Sequence, residues 1–268
     1  MAICMEDTNI NSDPRFATTV AHGMSVLQCF RMAEPVLSNK ELAERTGLSK
    51  ATISRLTYTL ALKGLLLYDV QLRRYRLGAG ILSLAHPMLS GIRLRQLARP
   101  YMRALADRCE GSVSLGLNDK LHMVYIETSR GHEVIGYRPD IGARLPLLAS
   151  AMGRAWLANA SSDMRERVLA QIRRDDAAQL QTHGAAWERA RHDWNTKGYC
   201  LSFGDWQADV HAVAAALRDP VDGDYLVFNC GVPVSRLGNK TIEDIAAGPL
   251  LAMIDKINQC MQRELQNA

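Results

Sequence analysis

Residues 49–59 combine a helical apolar stripe with polar side chains able to bind DNA. They lie in the stretch SNKELAERTGLSKATISRLTYTLALK, which begins at Ser38, and Ile53, Leu56 and Leu60 share one face of the predicted helix. The opposite face offers hydroxyl, amino and guanidinium groups that suit base edges and phosphates. Within this stretch, the predicted DNA-binding residues are Ser38, Ser49, Lys50, Ala51, Thr52, Ser54, Arg55, Tyr58 and Thr59.

A shorter helix is predicted just before this one. Ser38 is a strong N-cap, and Glu41 three residues later completes a capping box. Glu41 and Arg45 are expected to pair one turn apart. Gly47 ends the helix, because glycine adopts the left-handed C-terminal conformation without strain. Two short helices joined by a tight glycine turn predict a helix-turn-helix, although a plain helical hairpin has the same pattern.

Two short strands are predicted next, at residues 65–69 and 73–77. A ribbon at this place makes a winged helix-turn-helix whose basic side chains would contact phosphates. These proposed wing contacts are Arg73, Arg74 and Arg76. The whole chain carries a net charge of +4, whereas residues 15–85 hold ten basic and four acidic residues. A basic domain is the expected footprint of DNA binding, although a solvated basic face would look the same.

The rest of the chain changes between helical and strand periodicity. An apolar stripe of Ile81, Leu84, Ala85, Met88 and Ile92 predicts a helix whose exposed stripe would serve dimerisation; a simple core helix is the alternative. Further helices are predicted at 94–108, from 150, at 163–174, 185–197 and 241–264. Strands are predicted at 112–117, 121–126, near 133–138, and at 199–203, 211–218 and 224–230. Strands and helices around one sheet indicate an α+β fold.

Several segments resemble the IclR family of bacterial transcription regulators. They are ELAERTGLSKATISRL, RRYRLGAGIL, LRQLARPYMRALADR, ARLPLLASAMGRAWLA, KGYCLSF and VPVSRL, and the resemblance covers roughly residues 18–260. It implies a repressor or activator of a catabolic operon, binding a near-palindromic double-stranded DNA operator as a homodimer or homotetramer. The implied domains are a disordered tail (1–15), a winged helix-turn-helix (16–78), a linker helix (79–94) and a GAF-like α/β effector-binding domain (95–266).

The best candidate for a ligand site surrounds Ser150, which is predicted to cap a helix. The next three amides would then point outward unpaired, and such a helix end favours an anion. A capped helix without a ligand is the alternative. In the family this segment helps to hold the effector, often an organic acid, and further pocket positions follow from the resemblance. The expected effector-binding set is Val134, Tyr137, Leu145, Ser150, Ala151, Met152, Gly153, Ser202, Ala212, Asn229 and Gly231.

Several of these positions depart from the family pattern. Asn229 and Gly231 stand where the family has two inward serines, and Ser202 stands where an acidic residue is common. Ala212 stands where the family has cysteine. Because Ala212 and Gly231 are small, they are expected to enlarge the pocket. An aromatic carboxylate would then fit better than a very small acid.

Other classes of protein have weaker support in the sequence. His122 with Glu127, or His211 with Asp205, could form acid–base pairs, but no nucleophile has a recognisable context, so an enzyme is not expected. No metal-ligand spacing is present, and neither metal nor cofactor is expected. Six cysteines without a CxxC spacing, no membrane-length apolar run and no signal peptide favour a cytoplasmic protein with no membrane partner. A DNA-binding protein without a ligand remains the main alternative.

Overall fold

The chain divides into two units, Met1–Gly91 and Ile92–Ala268. The computed structural model describes residues 13–131, 139–221 and 223–266. The tail expected to be disordered lies mostly outside these ranges, as does the strand expected near 133–138. The two units are described separately below.

The N-terminal unit contains three helices, a two-stranded ribbon and a further helix. Its elements are α1 (Thr18–Gln28), α2 (Asn39–Thr46), α3 (Lys50–Leu62), β1 (Leu66–Asp69), β2 (Arg74–Leu77) and α4 (Gly80–Gly91). Strands β1 and β2 are antiparallel, which confirms the predicted wing. One small core holds the unit together, and its buried residues are Val26, Leu37, Leu42, Ile53, Leu56 and Leu66.

The capping pattern around α2 is confirmed, but the pairing expected on its outer side is wrong. The Glu41 carboxylate accepts hydrogen bonds from the backbone N–H of Ser38 at 2.8 Å and from its hydroxyl at 2.6 Å. Because the capping box turns Glu41 back toward Ser38, Arg45 instead pairs with Glu34 at 2.7 Å. Gly47 ends the helix at φ 70°, in the left-handed region.

The glycines that follow the wing are required by close backbone packing. A Cβ atom at Gly78 would lie 2.2 Å from the carbonyl oxygen of Gly64, and one at Gly80 would lie 2.7 Å from the same atom. The chain can pass over the end of α3 at this point only because both side chains are absent. Helix α4 begins directly afterwards.

Helix α4 has no buried residue, so it is not a core helix of its unit. Its large apolar side chains stay open to solvent in the single chain: Leu82 is 73% exposed, Leu84 66% and Met88 53%. Water-exposed apolar side chains grouped on one helix are typical of an interaction surface.

The C-terminal unit is built on one antiparallel six-stranded sheet with the strand order β5-β4-β3-β8-β7-β6. The strands are β3 (Ser112–Asp119), β4 (His122–Arg130), β5 (Arg144–Pro146), β6 (Cys200–Phe203), β7 (Val210–Ala216) and β8 (Val227–Pro233). The helices are α5 (Arg93–Cys109), α6 (Ala151–Asn159), α7 (Ser162–Asp175), α8 (Ala177–Lys197), α9 (Val234–Leu237) and α10 (Gly248–Gln266). Helices α6, α7 and α8 share the main core with the sheet.

Several boundaries in this unit differ from the predictions. Helix α8 starts well before residue 185, because the Asp176 side chain caps it by accepting from the Gln179 amide. Strand β8 starts later than residue 224, because Val221 and Asp224 pair across a turn. The last helix is preceded by a π-helical turn, Glu243–Ala247. Short strand β5, at the sheet edge, was not predicted because three residues show no periodicity.

Candidate DNA-binding surface and ligand pocket

Helix α3 separates buried and exposed residues as its sequence predicts. Ser49 caps the helix and accepts a hydrogen bond from the Thr52 amide at 3.2 Å. Ile53 and Leu56 are buried, whereas Tyr58 is 65% exposed. The other exposed predicted contacts are Ser49, Lys50, Ala51, Ser54, Arg55 and Thr59. The exposed face therefore carries two cations, a phenol and several hydroxyls that have no role in the core.

Some predicted DNA contacts already have structural partners. The Ser38 hydroxyl donates to Glu41 within the capping box. In the wing, Arg74 donates from Nη1 to Glu41 at 3.2 Å and to the carbonyl of Val36 at 3.3 Å. Arg74 therefore ties β2 to α2, whereas Arg73 and Arg76 are exposed. Phosphate contacts by these two arginines stay a prediction.

A pocket opens in the C-terminal unit between the sheet and the start of α6. Its volume is about 50 Å³, which is room for a few water molecules. None of its described lining residues carries a charged side chain. They are Ser112, Ser114, Tyr125, Pro139, Leu145, Ser150, Ala151, Ser202, Trp206, Gln207, Val210, Ala212, Asn229, Gly231 and Pro233.

Seven members of the expected effector-binding set line this pocket: Leu145, Ser150, Ala151, Ser202, Ala212, Asn229 and Gly231. Met152 and Gly153 are not among the lining residues. Gly153 lies against Leu147, and Met152 packs its sulfur beside Gly116. Val134 and Tyr137 lie outside the described residues.

Sheet register explains why residues distant in sequence meet here. Asn229 pairs with Ser114 across β3, and Gly231 pairs with Ala212 across β7. Small side chains at 212 and 231 do not leave a large space, because Val210 and Trp206 also line the cavity. The cavity is thus smaller than the one expected for an aromatic acid.

Fewer amides are free at the start of α6 than expected. The Ser150 hydroxyl donates to the carbonyl of Pro146 at 2.8 Å and accepts from the Gly153 amide at 3.0 Å. The expectation of three unpaired amides is therefore wrong for Gly153, because the cap uses it. The amides of Ala151 and Met152 have no partner among the described residues.

Polar side chains of three strands form a network at the pocket wall. Ser114 and Thr128 hydroxyls lie 3.1 Å apart. Burial raises the pKa of Tyr125 to about 12, although hydrogen bonds from Asn229 and Ser114 favour its ionised form. The Oδ1 atom of Asn229 is buried and has no hydrogen-bond partner among the described residues. The alternation of residues along β3 could have predicted that Ser112 and Ser114 line the pocket. No sequence pattern indicated Tyr125 or the irregular segment 204–209.

An ion pair that was not expected lies beside the pocket. Arg154 is 2% exposed, and its Nη1 atom contacts Asp205 Oδ2 at 2.8 Å. Burial lowers the pKa of Arg154, and the carboxylate opposes this effect. Burial also opposes ionisation of Asp205, but Arg154 and Ser202 outweigh it and lower the pKa of that carboxyl. The pair fixes the segment that supplies Trp206 and Gln207 to the pocket.

Neither candidate acid–base pair forms. Glu127 accepts instead from Arg99 at 2.8 Å and from Arg95 at 3.1 Å. His211 packs edge-on against Phe203, with ring centroids 5.3 Å apart. The described parts of the chain contain no cluster of three potential metal ligands. No helix there is long and apolar enough to cross a membrane.

Comparisons with known proteins assign each of the two units to a known domain family. Residues 19–70 match the IclR helix-turn-helix domain, and residues 86–259 match the bacterial transcriptional regulator IclR C-terminal domain. The HTH-type transcriptional regulator TsaQ1/TsaQ2 of Comamonas testosteroni is 31% identical over 248 residues, which are 91% of this chain and 88% of that protein.

Two crystal structures are similar over nearly the whole chain. An IclR family transcriptional regulator from Brucella abortus has 38% identity and a TM-score of 0.82, covering 96% of this chain and 97% of that one. An IclR homologue from Microbacterium hydrocarbonoxydans, complexed with 4-hydroxybenzoate, shares the fold with 23% identity and a TM-score of 0.72, covering 91% and 99%. The Comamonas and Brucella relatives are transcriptional regulators. This chain belongs to the IclR family of bacterial transcriptional regulators.

Proposed function

We propose that this regulator binds a near-palindromic operator as a homodimer or homotetramer and that a small organic acid controls its binding. The domain limits expected from the sequence remain part of this proposal; the two compact units divide between Gly91 and Ile92, which groups α4 with the DNA-binding unit. The observation that carries the ligand proposal is the pocket beside α6, where Ala151, whose backbone amide is unpaired among the described residues, and Asn229, whose side-chain oxygen is buried and equally unpaired, border one cavity.

The DNA contacts that we propose come from the exposed face of α3 and from the wing. Lys50, Arg55 and Tyr58 supply groups for base edges and phosphates, and Arg73 and Arg76 supply phosphate contacts. Ser49 and Thr52 support these residues by capping the helix. This division of roles is favoured because the contacting side chains are exposed, whereas the capping hydroxyls already have partners.

Dimerisation is proposed through α4. Leu82, Leu84 and Met88 expose apolar surface that a second copy would cover. A two-fold dimer presents two recognition helices to two half-sites, which is why a near-palindromic operator is expected. Pairing of two dimers would give the tetramer.

For the ligand, we propose a carboxylate held by the amides of Ala151 and Met152. Since none of the described lining residues is charged, the end of α6 supplies most of the anion stabilisation, about 0.3–2 kcal/mol. The cavity of about 50 Å³ favours a compact acid. An aromatic carboxylate is the second candidate, supported by the 4-hydroxybenzoate complex of the Microbacterium homologue. Engineered cavities that hold benzene measure about 150 Å³. Because the present cavity is smaller, the 204–209 segment would have to move to admit an aromatic ring.

The experiment is a calorimetric titration of the full chain with short and aromatic acids, combined with operator mobility shifts with and without each acid. We expect micromolar binding of at least one acid and a change in operator affinity. If no acid binds while the operator does, the chain is a ligand-independent DNA-binding protein.

A further inference from the structure

Asn229 occupies a central position in the pocket. It lies on β8 between Ser114 of β3 and Ala214 of β7, and it is 6% exposed. Its side chain faces the Tyr125 phenol, and this contact opposes the rise in the pKa of the phenol that burial causes.

The side-chain oxygen of Asn229 has no partner among the described residues. Asn229 Oδ1 is buried, and no described residue donates a hydrogen bond to it. Buried side-chain acceptors are nearly always satisfied in folded proteins, so an unsatisfied one that lines a cavity requires a donor from within the cavity. Two nearby hydroxyls have other partners: Ser114 lies 3.1 Å from the Thr128 hydroxyl, and Ser202 donates to the carbonyl of Ala149.

We infer that the effector carries a hydroxyl group that donates to Asn229 Oδ1, which makes the effector a hydroxy acid. This inference rests on the proposed function, because it assumes that the acid occupies this pocket. The carboxylate lies at the amides of Ala151 and Met152, and the hydroxyl lies at the β8 wall. A water molecule at Oδ1 is displaced without loss only by a ligand group that reproduces its hydrogen bond.

Other ligand groups fit this oxygen less well. A keto oxygen only accepts hydrogen bonds, so it would face Oδ1 with like polarity. An ammonium donates, but a buried cation needs a counter-charge, and none of the described lining residues carries one. The carboxylate beside the pocket, Asp205, contacts the lining residue Ser202 and is already paired with Arg154 at 2.8 Å. A neutral hydroxyl satisfies the acceptor without either penalty.

The test compares matched acids on the full chain by calorimetry. Lactate is compared with propionate and pyruvate, 3-hydroxybutyrate with butyrate, and 4-hydroxybenzoate with benzoate. In at least one series the hydroxy acid should bind at least about tenfold more tightly than its deoxy or keto counterpart. Asn229→Leu, which has a similar size but no acceptor, should remove that difference. Thr128→Val is the matched control, because it alters the same network from outside the described pocket lining and leaves Oδ1 in place.

Each outcome is decisive. Equal affinity for both members of every series that binds overturns the inference and leaves the proposed function intact. Binding of no acid overturns both. A preference that persists in Asn229→Leu excludes Asn229 as the acceptor. If Asn229→Leu fails to fold, as judged by its melting profile, the comparison on the unmodified chain still decides whether the hydroxyl matters.

Discussion

Arg154 and Asp205 join helix α6 to the segment after β6 through an Nη1–Oδ2 contact of 2.8 Å. Arg154 also donates from Nε to the carbonyl of Leu148 at 2.7 Å and from Nη1 to that of Leu201 at 2.9 Å. Because Arg154→Ala leaves these acceptors without their donor, we expect it to lower the free energy of unfolding by about 3–5 kcal/mol. Asp205→Asn keeps a side-chain oxygen that can accept from Arg154 but removes the counter-charge of that buried cation, so we expect a cost of about 1–3 kcal/mol. Urea denaturation of both variants measures these losses in the free energy of unfolding. Equal losses would contradict the different roles given to Arg154 and Asp205.

The same pair predicts a pH dependence. The pKa of Asp205 is lowered in the folded protein, so the unfolded chain binds the proton more readily. Ionised Asp205 therefore stabilises the fold above the ordinary carboxyl pKa, and this contribution is lost as the pH falls through the lower folded value. We expect the stability difference between the unmodified chain and Asp205→Asn to shrink below about pH 4. Denaturation across a pH series tests this, and a difference independent of pH would refute it.

Arg55 and Arg76 should affect DNA binding in different ways. If Arg55 reads a base, Arg55→Ala should cost about 1–3 kcal/mol and relax specificity at one position. Arg76→Ala should weaken binding to all sequences alike and reduce its salt dependence. Mobility shifts over a salt series measure both, with Arg218→Ala as the control that removes the same charge from the other unit. Unchanged affinity in both test variants would exclude this surface.

Arg74 is a less informative position for that experiment. Its guanidinium holds β2 to Glu41 and Val36, so Arg74→Ala would disturb the wing as well as any phosphate contact. Such a variant does not separate a contact to DNA from a contact within the protein.

Local signals in the sequence predicted the N-terminal unit well. Ser38, Glu41, Gly47 and Ser49 each act on residues a few positions away, so their roles follow from spacing alone. The pairing of Arg74 with Glu41 could not be predicted, because it depends on how β2 returns to α2. The predicted pairing of Glu41 with Arg45 was wrong because the capping box turns Glu41 back toward Ser38.

The pocket was only partly predictable. Asn229 and Gly231 were expected from the resemblance, and the start of α6 from its cap. Tyr125 joins Asn229 only through the register of β4, β3 and β8, which no local pattern determines. Arg154 and Asp205 were missed because a buried ion pair between distant segments leaves no periodic signal in either one.

Helix α4 should control assembly. Leu84→Glu places a charge on its exposed apolar surface, and we expect a monomer by light scattering with greatly weakened operator binding. Since Leu84 is exposed in the single chain, the fold of its own unit should survive, as a melting profile can confirm. Ser83→Glu adds the same charge to a neighbouring exposed polar position and is the control. A Leu84→Glu variant that still dimerises would exclude α4 as the interface.

Ala151 offers the most direct test of the anion site. Ala151→Asp would place a carboxylate where the carboxylate of the effector is proposed to lie, and no described lining residue carries a cation to offset the repulsion. Acid binding should therefore be lost, whereas operator binding should persist because the contacts to DNA belong to the other unit. Ala151 is buried, so part of any loss could come from size alone. Ala151→Asn separates the two effects, because it has nearly the same volume without the charge. We expect calorimetry to show weakened binding in Ala151→Asn and none in Ala151→Asp; equal loss in both would mean that space, and not charge, governs this position.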